Sequence, residues 1–188
     1  LFMEKVYHYT SKKNFKKIKK EKELLPKSRG AFPFSQISNR VSKIIGSRTY
    51  LTCLNSPSDE GWIQTGLMPL LINHTKGEII LEVPVIDKEN AFVRDHSLNS
   101  PRKYLEECGK DLFTIVYYNS LRRKDEPEHQ FSRQEDELIN RLKINYFEST
   151  VLLKEYNGNY EAPEIWLPQN TPIELISEIP PPEIQIAT

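Results

Sequence analysis

Three short segments hold residues whose types could do chemistry: Tyr7-His8-Tyr9-Thr10, Thr49-Tyr50-Leu51-Thr52 and Pro163-Glu164-Ile165-Trp166. A histidine can donate and accept hydrogen bonds and titrates near neutrality. A tyrosine offers a flat π-face to a ring-bearing ligand. Glu164 stands in a β-prone Pro-Glu-Ile-Trp-Leu-Pro run, where charge is disfavoured unless it is paired or functional. Taken singly, a strand histidine or tyrosine is more often structural than chemical. No GxGxxG, P-loop, HExxH or GxSxG pattern competes with these segments. Cys53 and Cys108 have no CxxC spacing, so free thiols in a reducing compartment are expected and a structural zinc is not.

In that order, His, then Tyr, then a late Glu on a strand, the segments resemble the H-Y-E class of ADP-ribosyltransferases, which includes diphtheria-like toxins and the poly-ADP-ribose polymerases. Tyr7-His8-Tyr9-Thr10 followed by a helix is similar to that class's first nicotinamide-binding strand, with Tyr9 where the class usually has a small residue. The resemblance covers positions 6–176. It implies an α+β fold with a split β-sheet core, flanking helices and NAD lying as substrate, without metal, in a cleft between two small sheets. On this resemblance His8 would hydrogen-bond the nicotinamide ribose and Thr10 would fix the same strand edge. Backbone groups of Tyr9 would bind the carboxamide, and Tyr50 would stack on the nicotinamide ring. Trp62 falls near the second aromatic position of the toxin-like pattern, with Gly61 at the nominal one, and is also the obvious core anchor of its helix.

Glu164 would accept a hydrogen bond from the ribose 2′-hydroxyl and stabilise the oxocarbenium character that develops as the glycosidic bond breaks. Glu161, three residues earlier, is a candidate to assist deprotonation of the acceptor. Tyr156 and Tyr160 bracket a turn where the class has its acceptor-recognition loop, or they close a simple hairpin. Arg94-Asp95-His96 would contact NAD phosphates or close a turn, with Arg29 and Arg48 as alternative phosphate partners. The implied activity is NAD-dependent mono-ADP-ribosylation of a protein side chain with release of nicotinamide. The implied setting is a bacterial toxin or effector, cytoplasmic or delivered into a host cytosol, acting on a protein acceptor such as a host protein. A nucleic-acid ADP-ribosyltransferase, an RNA 2′-phosphotransferase of the same fold and an inactive nucleotide- or partner-binding module are the alternatives.

The elements that must position these residues follow from pattern. Strands are expected at 6–9, 49–53, 78–85, 149–154, 164–167 and 173–176, with a further β-rich run at 112–118. Ile79, Leu81, Val83 and Val85 should share one face. Helices are expected after a Thr10 or Ser11 cap with Phe15 and Ile18 buried, and at 41–45, 59–71, 101–108 and 135–142. Strands crowding both ends favour α+β over regular βαβ winding. One domain over 1–179 and a proline-rich tail at 180–188 are expected.

Composition narrows the classes further. The 188 residues are 38% hydrophobic and 28% charged, a globular balance, and no apolar stretch approaches a bilayer span. Lys plus Arg and Asp plus Glu both total 26. A neutral chain gives no general attraction to nucleic acid or membrane, so nucleic acid is the less favoured partner and no membrane is expected. Locally the charge is uneven: positions 12–27 are strongly basic and 125–137 mostly acidic, as solvated faces would be.

Overall fold

Ser11 starts the first helix by accepting a hydrogen bond from the Asn14 amide on its side-chain oxygen, 3.2 Å away. Strand β1 (Lys5–Thr10) therefore runs directly into α1 (Lys12–Glu21), which buries Phe15 and Ile18 and leaves its lysines in solvent. Each of those two side chains contributes about 1.5–3 kcal/mol by leaving water. The computed structural model describes residues 3–28 and 35–183. Along the chain follow β2 (Glu23–Leu24), α2 (Asn39–Ile45), β3 (Leu51–Leu54), α3 (Glu60–Gln64), α4 (Leu67–Thr75), β4 (Ile79–Pro84) and β5 (Phe92–Asp95). After a 3-10 turn, His96–Asn99, come α5 (Pro101–Cys108), α6 (Leu112–Leu121), α7 (Arg133–Glu148), β6 (Val151–Leu152), β7 (Pro163–Leu167), β8 (Thr171–Pro172) and β9 (Ser177–Ile179).

The architecture is α+β, as expected. Seven strands form one sheet in the order β6-β5-β7-β3-β1-β4-β9, and β2 pairs with β8 in a small second sheet. Every ladder among the described residues is antiparallel. Side chains alternate between the two faces of such a sheet. Ile79, Leu81, Val83 and Val85 do share a face, in the apolar layer that also holds Phe15, Ile18, Cys53, Val93 and Ile165. The opposite face carries an aromatic layer of Tyr50, Phe92, Tyr146, Phe147 and Trp166, continued by Tyr9, Leu54, Trp62, Leu67 and Met68.

The large sheet has one weak seam. Strand β1 pairs with β4 over six residues, but with β3 only at Tyr7↔Leu54. Continuing that ladder would set His8 opposite Cys53 and Tyr9 opposite Thr52. Instead the His8 imidazole fills the gap, with Nδ1 2.9 Å from the Thr52 carbonyl oxygen. The four strands from β6 to β3 and the three from β1 to β9 thus meet at a single residue pair. The expected two separate sheets are replaced by one hydrogen-bonded sheet with its halves parting at this point.

Several elements differ from their expected form. The run 112–118 is helical: Asp111 caps it, accepting from the Thr114 amide at 3.0 Å, and the cap outweighs the β-branched and aromatic composition. The helix expected over 59–71 is two helices, broken at Gly66, whose φ of 79° only glycine adopts without strain. Pro69 is tolerated because it falls in the first turn of the new helix. The last strand is displaced, with a 3-10 turn at Ile173–Leu175 and the strand itself at Ser177–Ile179. The tail, described as far as Glu183, has no regular structure.

Candidate functional site

Glu164 lies on β7, opposite Leu54 of β3 and Arg94 of β5 in the two flanking ladders. Opposed residues in antiparallel strands present their side chains to the same face. Glu164 and Arg94 therefore share the aromatic layer, at 8% and 0% exposure. The Arg94 guanidinium carbon lies 4.7 Å from the Phe92 ring centre, 5.4 Å from Tyr146, 4.7 Å from Phe147 and 4.8 Å from Trp166, and its Nε donates to Thr150 Oγ1 at 2.9 Å. A cation enclosed by four rings gains from their quadrupoles. Glu164 stands beside it at the opposed ladder position.

The two carboxylate oxygens of Glu164 are treated differently. Oε2 accepts from the Tyr146 hydroxyl and, at 2.8 Å, from Trp166 Nε1. Oε1 has the buried His96 Nδ1 3.6 Å away, too far for a hydrogen bond. His96 packs against Tyr146 with ring centres 4.8 Å apart and meets Trp62 edge-on at 5.2 Å. Burial lowers its pKa despite the opposing pull of Glu164, so the ring is neutral at pH 7. Burial pushes the Tyr146 hydroxyl well above its ordinary value, an effect the Glu164 charge reinforces, and the hydroxyl stays a donor.

Where β1 and β3 part, a cleft of about 230 Å³ opens, lined by His8, Tyr9, Thr10, Ser11, Asn14, Thr52, Leu54, Trp62, His74 and Glu164 among others. His8 and Glu164 start from opposite faces of the sheet, since His8 stands opposite Leu81 while Glu164 stands opposite Leu54, the partner of Tyr7. The seam brings them to one cavity. A carbonyl oxygen can only accept, so His8 Nδ1 carries the proton toward Thr52. Burial lowers the His8 pKa, and the neutral ring keeps Nε2 as an acceptor. Behind His8 a second cleft of about 310 Å³ is lined by Thr10, Asn14, Lys17, Glu21, Lys27, Ser28 and the Tyr50 to Thr52 segment. His8, Thr10, Asn14 and Thr52 border both.

The remaining expected site residues lie as follows. Tyr50 is fully buried: its hydroxyl donates to the Ile45 carbonyl and its ring meets Phe92 edge-on at 4.8 Å and Trp166 at 6.0 Å. In this packing neither ring face is open for stacking. The Tyr9 hydroxyl donates to the Pro57 carbonyl, and burial raises its pKa to about 12. Trp62 is 5% exposed, lines the Glu164 cleft and donates from Nε1 to the Pro163 carbonyl at 3.0 Å, so it serves core and cavity together. Tyr156, Tyr160 and Glu161 come together in a separate cleft of about 420 Å³ with Asp59, Glu60 and Gly61. There the Tyr156 hydroxyl accepts from the Tyr160 amide at 3.1 Å, the Tyr160 hydroxyl donates to the Ser149 carbonyl, and Glu161 pairs with Arg102 at 2.5 Å. That pairing lowers the Glu161 pKa, which makes it a poor base.

Two of the three arginines named for phosphates lie among the described residues. Arg94 is enclosed on β5, a strand absent from the expected set, and Asp95 closes the turn after it by accepting from the Ser97 and Ala162 amides. Arg48 is exposed beside a cleft with Lys43, Glu89 and Asn90 that shares no residue with the Glu164 cleft. Arg29 lies outside the described residues. Conversely, Tyr146, His96 and the buried Arg94 were not foreseen around Glu164. A signal for Tyr146 was present: it continues the helix-face spacing from Leu142, four residues before. Among the described residues no group of three His, Cys, Asp or Glu side chains is placed to hold a metal, and no helix is long and apolar enough to cross a membrane. No protein-family model, curated protein or solved structure gives a significant match to this chain.

Proposed function

We propose that the chain is an NAD-dependent mono-ADP-ribosyltransferase acting on a protein side chain, with Glu164 as its catalytic carboxylate. The observation that carries this reading is the cleft at the β1/β3 seam, where His8, Thr10 and Glu164 border one cavity although they come from distant parts of the chain. In the reaction the bond between nicotinamide and ribose C1′ breaks and nicotinamide leaves with the electron pair. The acceptor nucleophile forms the new bond to C1′ and gives up its proton to solvent or a nearby base. Glu164 is suited to oppose the positive charge that develops on the ribose, because Oε2 is held by two donors and Oε1 has no hydrogen-bond donor among the described residues. His8, donating to Thr52 through Nδ1, offers Nε2 to a ribose hydroxyl. The cleft of Tyr156, Tyr160 and Glu161 borders β7 at Pro163 and is the acceptor entrance in this reading.

The test is labelling of a cell lysate or of the protein itself with biotinylated or etheno-NAD. Wild type should label, and Glu164→Gln should lose labelling by at least about 100-fold, the scale of removing one group that stabilises transition-state charge. Its NAD affinity should change little, and circular dichroism should show it folded. Labelling by folded Glu164→Gln at the wild-type rate would overturn the assignment.

A further inference from the structure

The chain is neutral overall, yet its charge is not evenly spread. Residues 12–28 contain eight lysines, at 12, 13, 16, 17, 19, 20, 22 and 27, and two acids, Glu21 and Glu23, a net charge of +6 that the rest of the chain must balance with −6. Elsewhere cations are commonly paired: Lys5 with Glu82, Arg102 with Glu161, Lys110 with Glu135, Arg141 with Glu107 and Lys154 with Glu89. Of the eight lysines, only Lys27 has an acid within ion-pair distance among the described residues, Glu21 at 3.9 Å.

Helix α1 carries this charge against its own interest. Lys12 and Lys13 sit in the first turn, where the helix dipole is positive and acids are favoured, and that turn contains no acid. Lys13, Lys16, Lys17 and Lys20 recur at spacings of three and four, so like charges are neighbours on one face. At about 100° per residue these four occupy an arc of about 100° directly opposite buried Phe15 and Ile18. All four are exposed. Apart from Lys20, whose place in the last turn suits the dipole, these lysines add nothing to local folding.

We infer that the outer face of α1 binds the phosphate backbone of a nucleic acid, with Lys13, Lys16, Lys17 and Lys20 as the contacts. The ten-residue helix is ~15 Å long. Over that length one strand of a duplex presents about four phosphates at ~3.4 Å along the axis, one for each lysine. A membrane surface is the poorer fit: the only apolar residues of α1, Phe15 and Ile18, face the core, so nothing is left to enter a lipid interface. Lys17 also lines the second cleft at the β1/β3 seam, so a bound strand lies next to the candidate site. This docking goes beyond the transferase reading and does not depend on it.

Fluorescence anisotropy with labelled 20-nucleotide single-stranded and duplex DNA, in the absence of NAD, tests the proposal. At least one of the two should bind saturably at 50 mM NaCl, with log K falling against log salt at a slope of about −3, as expected for about four neutralised phosphates. Replacing Lys13, Lys16, Lys17 and Lys20 together by Glu should weaken binding at least tenfold without lowering the melting temperature. The same change in charge made at Lys43, Lys76, Arg123 and Lys124 should weaken it less than threefold. Absence of binding to both DNAs, or equal loss in the two fourfold variants, overturns the proposal. So does equal competition by poly-glutamate, which would assign the face to acidic protein, or tighter binding to phosphatidylserine vesicles than to DNA.

Discussion

Replacing Tyr146 by Phe removes one oxygen from the Glu164 site and leaves the rest of the packing intact. The ring keeps its volume in the aromatic layer and its place against His96, where the centres are 4.8 Å apart. What is lost is the hydroxyl's hydrogen bond to Oε2, so that Trp166 Nε1, at 2.8 Å, becomes the remaining donor to that oxygen. A hydrogen bond to a buried carboxylate contributes about 1.5–3 kcal/mol. For a domain of this length the loss lowers the melting temperature by roughly 3–12 °C, at about 2–4 °C per kcal/mol. Urea unfolding followed by tryptophan fluorescence suits the measurement, because both tryptophans of the chain, Trp62 and Trp166, border the site. The pH dependence supplies a second reading. In the folded protein burial and the Glu164 charge keep the Tyr146 proton bound above the ordinary tyrosine value of 10. Above about pH 10 the unfolded chain releases that proton and the native state keeps it, so wild-type stability falls as pH rises. Tyr146→Phe should show a shallower alkaline decline. A loss below about 0.5 kcal/mol, or an unchanged alkaline slope, would refute the claim that this hydroxyl holds the carboxylate.

Two further substitutions probe the supports of the site. A Cβ on Gly61 would overlap the backbone carbonyl of Glu161, so the N-terminus of α3 and the segment leading into β7 can approach only through glycine. Gly61→Ala should cost about 1–3 kcal/mol or more and reduce labelling along with stability, as thermal melts and the NAD assay would record; a wild-type melting temperature would contradict the close approach. Tyr50→Leu should destabilise by somewhat less than the ~3–5 kcal/mol of a full aromatic truncation, while NAD affinity, measured by calorimetry on the folded variant, stays within about twofold. Tenfold weaker NAD binding would return Tyr50 to the role of stacking partner.

Much of the framework was legible because it rests on local rules. Ser11, Asp59 and Pro101 mark helix starts, and the alternation at Ile79, Leu81, Val83 and Val85 fixes a strand and its buried face. Elements failed where a local signal was outweighed. Asp111 caps a helix over a run whose composition favours a strand, and Gly66 breaks what periodicity joins. At the site, Glu164 could be singled out because charge is unusual in a strand of its type, but its surroundings could not. Arg94 is set opposite Glu164 only by the β5–β7 register, and Tyr146 reaches it from a helix 18 residues away. Such contacts are set by strand order and helix docking. The burial of Tyr50 is of the same kind, since a strand tyrosine reads alike whether its ring faces a cleft or a core.

Glu164 has a structural duty whatever its chemistry, and the two are compatible. Its carboxylate accepts from Tyr146 and Trp166 and so ties the aromatic layer together, at the ladder position opposed to the buried Arg94. Were that the whole role, both carboxylate oxygens would be expected to find donors in the surrounding layer. Instead Tyr146 and Trp166 both converge on Oε2, whereas Oε1 has a neutral imidazole beyond hydrogen-bond distance and the residue borders a cleft shared with His8. Two donors on one oxygen fix the carboxylate without consuming the other. A carboxylate held in place, with an oxygen in reserve, meets the requirement for stabilising charge that appears only as a bond breaks, because no reorganisation is needed at that moment. The aromatic layer thus sets the orientation of Glu164, and the seam between β1 and β3 sets it at the cleft that the proposed reaction would use.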